Sequence, residues 1–204
     1  YDVIRETEEN NNSDVINKVG SEPKVPVKLP VITPSLNKLR EKDTKGLALW
    51  VTKQEVTNVY ASDKLDGISA LYVVKGGCSN LLSRGNGVYG EDISHLLPYL
   101  NLPMEEGIVV RGELVLPKSI DKGRNIVAGM ANSKNKLLDL ELVNQVKFIA
   151  DRLYEYTFVE LMYNQLNKLG FDVVHYEMLE GESINTSTLN DLLAHRRDIC
   201  EYPM

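Results

Sequence analysis

Cysteine is scarce in this 204-residue chain, which has only Cys78 and Cys200. Two thiols make neither a disulfide framework nor, alone, a four-ligand zinc site. They suit a reducing, intracellular, cytoplasmic setting. Long apolar runs are missing, so nothing predicts a membrane span, and no basic, apolar, small-residue signal opens the chain. Positive charge is short as well: 23 basic against 29 acidic residues leave a net charge of −6. Binding nucleic acid over a whole surface relies on neutralising phosphates, so that mode is excluded while a local basic cleft is not. No Gly-rich phosphate loop of the Lys-Ser/Thr or Rossmann type occurs, and no serine elbow or His-Glu helix. His95, His175 and His195 lie in unrelated contexts without a ligand-spaced partner, and read as structural or surface residues. No internal repeat is found. The opening Tyr1, in place of a methionine, reads as a cut or processed start.

What is present is an ordinary globular composition, 43% apolar and 25% charged, on a chain long enough to bury a core. Residues 6–13 are acidic and polar and read as a solvated linker. Pro23, Pro26, Pro30 and Pro34 favour an extended, helix-free run over the surface. Leu36, Leu39, Leu47 and Leu49 mark a weakly helical stretch at most. The middle is β-rich. Val59-Tyr60-Ala61 leads into a strand from Ile68 to Val74, Lys75-Gly76-Gly77 turns the chain, and Leu81-Leu82 returns it, which is a hairpin signal. Gly107 to Leu116 is a further strand whose central glycine suggests a close backbone approach. Later, Phe158, Leu161, Met162, Leu166 and Leu169 form an apolar stripe at helical spacing, with Gly170 as its stop. Phe171 to Val174 reads as a strand, and Asn185 or Thr186 caps a final helix through Leu189, Leu192 and Leu193. Strands with interleaved helices predict an α+β domain around a mixed or antiparallel sheet.

Three clusters carry candidate chemistry. Lys64-Leu65-Asp66-Gly67 sets a lysine beside a strand end, with a carboxylate two residues on and a tight turn. A nucleophilic amine has to lose a proton from a reference pKa of about 10.4, which burial, nearby positive charge or a metal ion favours. Asp66 then orients the amine or holds a metal-bound water; otherwise Asp-Gly is a plain turn after an exposed lysine. Ser83-Arg84-Gly85-Asn86-Gly87, followed by Gly90-Glu91-Asp92-Ile93, holds an arginine between glycines. Its planar fork suits a phosphate or ribose, the alternative being a hairpin end with a solvated arginine. Val110-Arg111-Gly112-Glu113-Leu114 puts a glutamate in an apolar strand, where it points either to solvent or into a polar pocket; alternation reads as poor because both flanks are apolar, which favours the pocket.

Taken in order, these clusters resemble the adenylation domain of NAD-dependent DNA ligases. Asn17-Lys18-Val19-Gly20 followed by Pro34-Ser35-Leu36 looks like the segment leading into that domain, where a Ser-Leu pair lines the nucleotide pocket. Gly123-Arg124-Asn125-Ile126-Val127-Ala128-Gly129 is similar to the family's Arg-Asn-x-x-Ala-Gly stretch, and Phe158 to Phe171 to its late helix and following strand. Tyr1-Asp2 resembles the end of the family's NMN-recognition subdomain, and Glu201-Tyr202-Pro203-Met204 the lead-in to a further Asp-Gly motif. The family's glutamate two residues before the lysine is Ser62 here, and its adenine-stacking tyrosine falls on Asp151, with Tyr154 or Tyr156 reached by a register shift. Such departures point to a divergent lineage, such as a viral one.

The resemblance implies a nucleotidyltransferase fold, ATP-grasp-like, with mixed or antiparallel sheets and flanking helices. Residues 1–30 would be the tail of the NMN subdomain and a linker, and residues 31–204 the adenylation domain. It implies that Lys64 attacks the α-phosphorus of NAD, with Asp66 orienting it, and that Ser35, Leu36, Arg84 and Glu113 bind the nucleotide. Mg²⁺ would be held through phosphates and waters near Asp66 and Glu113. The partners implied are nicked double-stranded DNA, in replication and repair, together with NMN-binding, OB and DNA-binding domains on this or another chain, and no membrane. An ATP-using DNA or RNA ligase or a capping-type nucleotidyltransferase uses the same Lys-x-Asp-Gly chemistry. A non-catalytic ligase-like subunit is the remaining alternative.

Overall fold

The computed structural model describes residues 23–34, 43–53, 58–133, 138–156, 158–181 and 184–204. Its elements are β1 (Val27–Lys28), α1 (Thr44–Lys53), β2 (Asn58–Ser62), β3 (Ile68–Lys75), β4 (Cys78–Ser83), β5 (Tyr89–Gly90) and a 3-10 turn (Ser94–Tyr99). There follow β6 (Val109–Val115), α2 (Gly123–Ala131), α3 (Leu140–Val143), β7 (Lys147–Leu153), α4 (Val159–Leu169), β8 (Tyr176–Glu180) and α5 (Thr186–Ile199). The architecture is α+β with antiparallel sheets, as the interleaved pattern predicts.

The central sheet has four antiparallel strands in the order β4-β3-β6-β7. The β3–β4 hairpin closes with Lys75 opposite Cys78, so its loop is the two residues Gly76 and Gly77. Both have positive φ, 62° and 71°, the geometry of a type I′ turn that only glycine adopts without strain. Glu106 accepts hydrogen bonds from the Gly76 and Gly77 N–H groups at 2.6 and 3.0 Å, which fastens the turn. Both faces of the sheet are covered. Ala70, Tyr72 and Val74 belong to the main core, and Leu71 and Val73 to a smaller cluster with Leu29, Leu82, Val109 and Tyr154. Double coverage is why the Ile68–Val74 run is almost continuously apolar instead of alternating.

In the main core Tyr72, Phe148 and Phe171 meet in tilted and edge-on contacts, with centroids 6.1–6.4 Å apart. Leu166 of α4 and Val127 of α2 are fully buried around them. Gly112 makes the close approach expected of the β6 glycine. A Cβ there would lie 2.6 Å from the Ile149 carbonyl oxygen and 2.6 Å from the Phe148 ring.

A second, two-stranded ribbon pairs β2 with β8, Ser62 opposite Tyr176. The chain does not run straight from Val59 into Ile68: it leaves the ribbon after Ser62, crosses through residues 63–67, and enters the central sheet as β3. That crossing carries Lys64.

Four expectations need correction. Phe171–Val174 forms no strand; it touches β7 through a single parallel bridge, Ala150 to Val173. Phe171 is instead used to fill the core beside Tyr72 and Phe148, and the strand starts later, at Tyr176. The apolar stripe of α4 is narrower than its spacing suggests. Phe158 and Leu161 are 73% and 56% exposed, while Met162, Tyr163 and Leu166 are buried. Phe158 is the N-cap, ahead of the first turn, so it lies outside the packed face. Residues 44–53 form a full helix where the spacing of leucines supports only a weak one. Leu36 and Leu39 lie outside the described residues. Finally, β6 alternates well, with Val110, Gly112 and Leu114 buried and Val109, Arg111 and Glu113 partly open, although its flanks are apolar. The helix ends agree with expectation: Gly170 closes α4 at φ 91°, and the Asn185 side chain accepts from the Thr188 N–H of α5.

Gly112→Ala is expected to destabilise the chain by about 1–3 kcal/mol, because the added methyl meets backbone as well as the Phe148 ring. Urea unfolding of the two proteins measures it.

Candidate active site

The crossing segment is extended, and its side chains alternate. Asp63, Leu65 and Gly67 are buried, whereas Lys64 and Asp66 are exposed. It is fastened at three places. The Asp63 N–H donates to the His175 carbonyl at 3.0 Å, and the Asp66 N–H donates to the Pro203 carbonyl at 2.8 Å. At the third, Gly67 packs against the Glu113 side chain, whose Cγ would lie 2.9 Å from a Cβ at that position. Gly67 has no freedom to be anything larger, since a Cβ would sit 2.2 Å from the Leu114 carbonyl oxygen.

Glu113 projects from β6 on the sheet face that carries Arg111. Burial pushes its carboxyl pKa up to about 7, and the Asp151 charge adds to that; Lys64, the Gly67 N–H and Arg124 act in the opposite sense. Two of the three clusters, the lysine motif and the β6 glutamate, therefore meet here, together with the Arg-Asn stretch. The second cluster lies one strand further on. Ser69 faces Glu113 across β3–β6, and its carbonyl accepts from the Arg84 N–H at 3.0 Å. Gly85, with φ 52°, lets the loop fold so tightly that a Cβ would be 2.0 Å from the Tyr89 carbonyl oxygen. Arg84 is thus on the row of the sheet that also holds Ser69 and Glu113. Asp66, expected to orient Lys64, pairs its carboxylate with the Arg124 guanidinium, both about half exposed. Ser35 and Leu36 lie outside the described residues.

At the two positions where the resemblance leads one to expect adenine contacts, the side chains have other neighbours. Asp151 forms a two-point ion pair with Arg111 at 2.8 and 3.1 Å, across the β6–β7 irregularity at Arg111/Gly112. Ser62 lies beside the Tyr163 hydroxyl, whose pKa is raised by burial, and the Tyr163 ring stacks on Tyr176 with centroids 4.1 Å apart. Tyr154 packs in the smaller cluster with the Arg152 guanidinium 5.5 Å from its ring centre, and Tyr156 is 40% exposed. His95 contacts the Met130 carbonyl at 3.0 Å, in keeping with a structural histidine.

Sequence reasoning singled out neither Arg111 nor Asp63 as a site residue. Arg111 had a usable signal, because two residues before Glu113 in a strand means the same face. Asp63 had none, since its partner Arg196 is 133 residues away. Among the described residues no group of three His, Cys, Asp or Glu side chains is arranged to hold a metal ion. Asp66 and Asp151 are committed to arginines, while Glu113 is a half-buried carboxylate already protonated in part near neutral pH. This donor set fits a hard cation bound mainly through water and phosphate oxygens with one carboxylate contributing. No described helix is long and apolar enough to cross a membrane.

No family model matches the chain. The chain is 31% identical over 217 aligned positions to the DNA ligase of Acanthamoeba polyphaga mimivirus, covering 97% of this chain and 33% of that one. It is 26% identical over 219 positions to a protein assigned as DNA ligase 205R of Invertebrate iridescent virus 6, covering 97% and 34%. The chain thus spans about a third of the length of these curated relatives. In three dimensions it is similar to a protein described as an ATP-dependent DNA ligase from Aquifex aeolicus. That match has a TM-score of 0.52 and 14% identity, and covers 81% of this chain and 43% of the other. The fold is that of the ligase nucleotidyltransferase domains, and the sequence likeness is to viral DNA ligases.

Glu113 makes stability pH-dependent with a definite sign. Its folded pKa of about 7 lies above the ordinary value of 4.5, so the folded state binds the extra proton. The cost of burying the ionised carboxylate is absent below about pH 4.5 and grows as pH rises through 7. This group contributes a loss on the order of 2–3 kcal/mol across that window. Glu113→Gln is expected to flatten this part of the profile, read from chemical unfolding between pH 4.5 and 8.

Proposed function

We propose that the chain is the adenylyl-transfer part of a DNA ligase, with Lys64 as the nucleophile. The observation that carries the reading is an exposed lysine on a segment braced at both sides, within electrostatic reach of a half-buried glutamate. The Lys64 amine would attack the α-phosphorus of the nucleotide donor, forming a P–N bond as the P–O bond to the leaving group breaks and the amine gives up its proton. An amine exposed to solvent on a fixed backbone suits such a step, because orientation of the attacking atom removes much of the entropic barrier. Glu113 would accept a ribose hydroxyl or hold waters around Mg²⁺, and Arg84 would contact the ribose or phosphate side. A bound Mg²⁺ supplies charge stabilisation at the phosphates. Asp66, paired with Arg124, would set the electrostatics beside the amine.

For the donor, the Gly90-Glu91-Asp92-Ile93 run, the Arg124-Asn125 stretch and the Leu169-Gly170-Phe171 ending of the late helix support NAD by their resemblance to that family, with nicotinamide mononucleotide as leaving group. ATP, with pyrophosphate as leaving group, is the second reading, and the likeness to a protein described as ATP-dependent favours it. Transfer of AMP onward to a nick 5′-phosphate would draw on parts of the longer protein that bind DNA, since the chain itself is acidic.

The test is to incubate the full-length protein with NAD or ATP labelled in the adenylate, in the presence of Mg²⁺. Label is expected on Lys64 from NAD and to be abolished in Lys64→Ala. Label from ATP and never from NAD would replace the donor, and label from neither would leave a non-catalytic ligase-like subunit. This chain by itself is expected to seal no nick.

A further inference from the structure

The residue before Lys64 is a carboxylate held inside the protein. Asp63 is 8% exposed, and Arg196 reaches it from the last turn of α5 with two hydrogen bonds, Nε at 2.8 Å and Nη2 at 2.6 Å. The Arg196 and Asp63 side chains are 14% and 4% exposed. A buried ion pair is weak evidence of stability, because apolar residues of similar shape usually do as well. Its distinguishing property is geometric: a two-point guanidinium–carboxylate contact fixes orientation as well as distance.

Other contacts from the same end of the chain point to that geometric role. The Pro203 carbonyl accepts from the Asp66 N–H, so Arg196 and the residues after α5 hold Lys64 from both sides, one residue before it and two after. A cavity of about 130 Å³ lies directly against the pair, lined by Ser62, Asp63, Leu189, Leu193, Arg196 and Met204. Space therefore remains beside the Asp63 carboxylate, and the two-point contact with Arg196 is what holds its direction. The Lys64 side chain is exposed, so the crossing backbone is what limits where its amine can reach.

We infer that Arg196 is a positioning residue for Lys64, acting through Asp63, so that α5 and the segment after it set the frame from which the amine attacks. The inference rests on Lys64 being the nucleophile. Arg196→Met leaves Asp63 uncompensated, so a second variant, Asp63→Leu with Arg196→Met, removes both charges and keeps an apolar, foldable site. A displacement of about 1 Å in a reacting group costs up to about a hundredfold in rate.

The experiment uses the full-length protein and follows single-turnover labelling of Lys64, nucleotide dissociation constant, thermal midpoint and amide exchange of residues 61–67. Both variants are expected to label Lys64 ten- to a hundredfold more slowly, to bind nucleotide within about threefold of the unsubstituted protein, and to exchange faster over 61–67. Arg196→Lys is expected to recover part of the rate. The inference is overturned if the double variant recovers the labelling rate along with its thermal midpoint, if nucleotide binding weakens as much as the rate falls, or if exchange over 61–67 is unchanged. Absence of label on Lys64 in the unsubstituted protein overturns the adenylyl-transfer reading itself. Normal labelling there, with equally fast labelling in both variants, overturns only the positioning role.

Discussion

The passage of the chain from the β2–β8 ribbon into the central sheet is the constraint on which the rest of the site depends. At Gly67 the backbone runs so close to β6 that a Cβ would fall 2.2 Å from the Leu114 carbonyl oxygen. That proximity sets Gly67 directly against the Glu113 side chain, and so joins the lysine-bearing segment to the strand that carries the glutamate. A larger residue at position 67 would push the crossing away from the sheet. The tight turn legible in Asp66-Gly67 is therefore a packing requirement between two sheets as much as a conformational one.

Around this crossing the charges are arranged in neighbouring couples. Arg111 holds Asp151, Arg124 holds Asp66, and Arg196 holds Asp63. Glu113 sits among them with its carboxyl pushed up by burial and by Asp151, and is drawn back by Lys64 and Arg124. The arginine pairs neutralise the acidic side chains nearest the lysine while leaving the Lys64 amine exposed. The acidic chain thus presents an exposed lysine beside carboxylates that are already paired with arginines.

Much of the fold was legible because its signals are local. The Gly-Gly hairpin, the Gly170 stop and the Asn185 cap each depend on a few consecutive residues and on the φ values or side-chain acceptors those residues supply. The misreadings arose where tertiary contacts overrode local pattern. Phe171 is as good a strand residue as any nearby, but the space beside Tyr72 and Phe148 claimed it. Phe158 and Leu161 match a helical stripe, yet α4 turns Met162, Tyr163 and Leu166 inward instead. The apolar flanks of Glu113 hid its alternation, because a strand in a sheet covered on both faces has little polar surface to mark its period.

The sequence by itself determined the order of the motifs, the residue types in them, and a glycine wherever the backbone had to pass close to another strand. Those are properties of short stretches, and the chain states them directly. Only the tertiary structure decided that Asp151 belongs to Arg111, that Ser62 meets Tyr163, and that Asp63 is held by an arginine 133 residues later. Such partnerships depend on the distance and direction between side chains brought together by packing, and no spacing along one strand or helix encodes them.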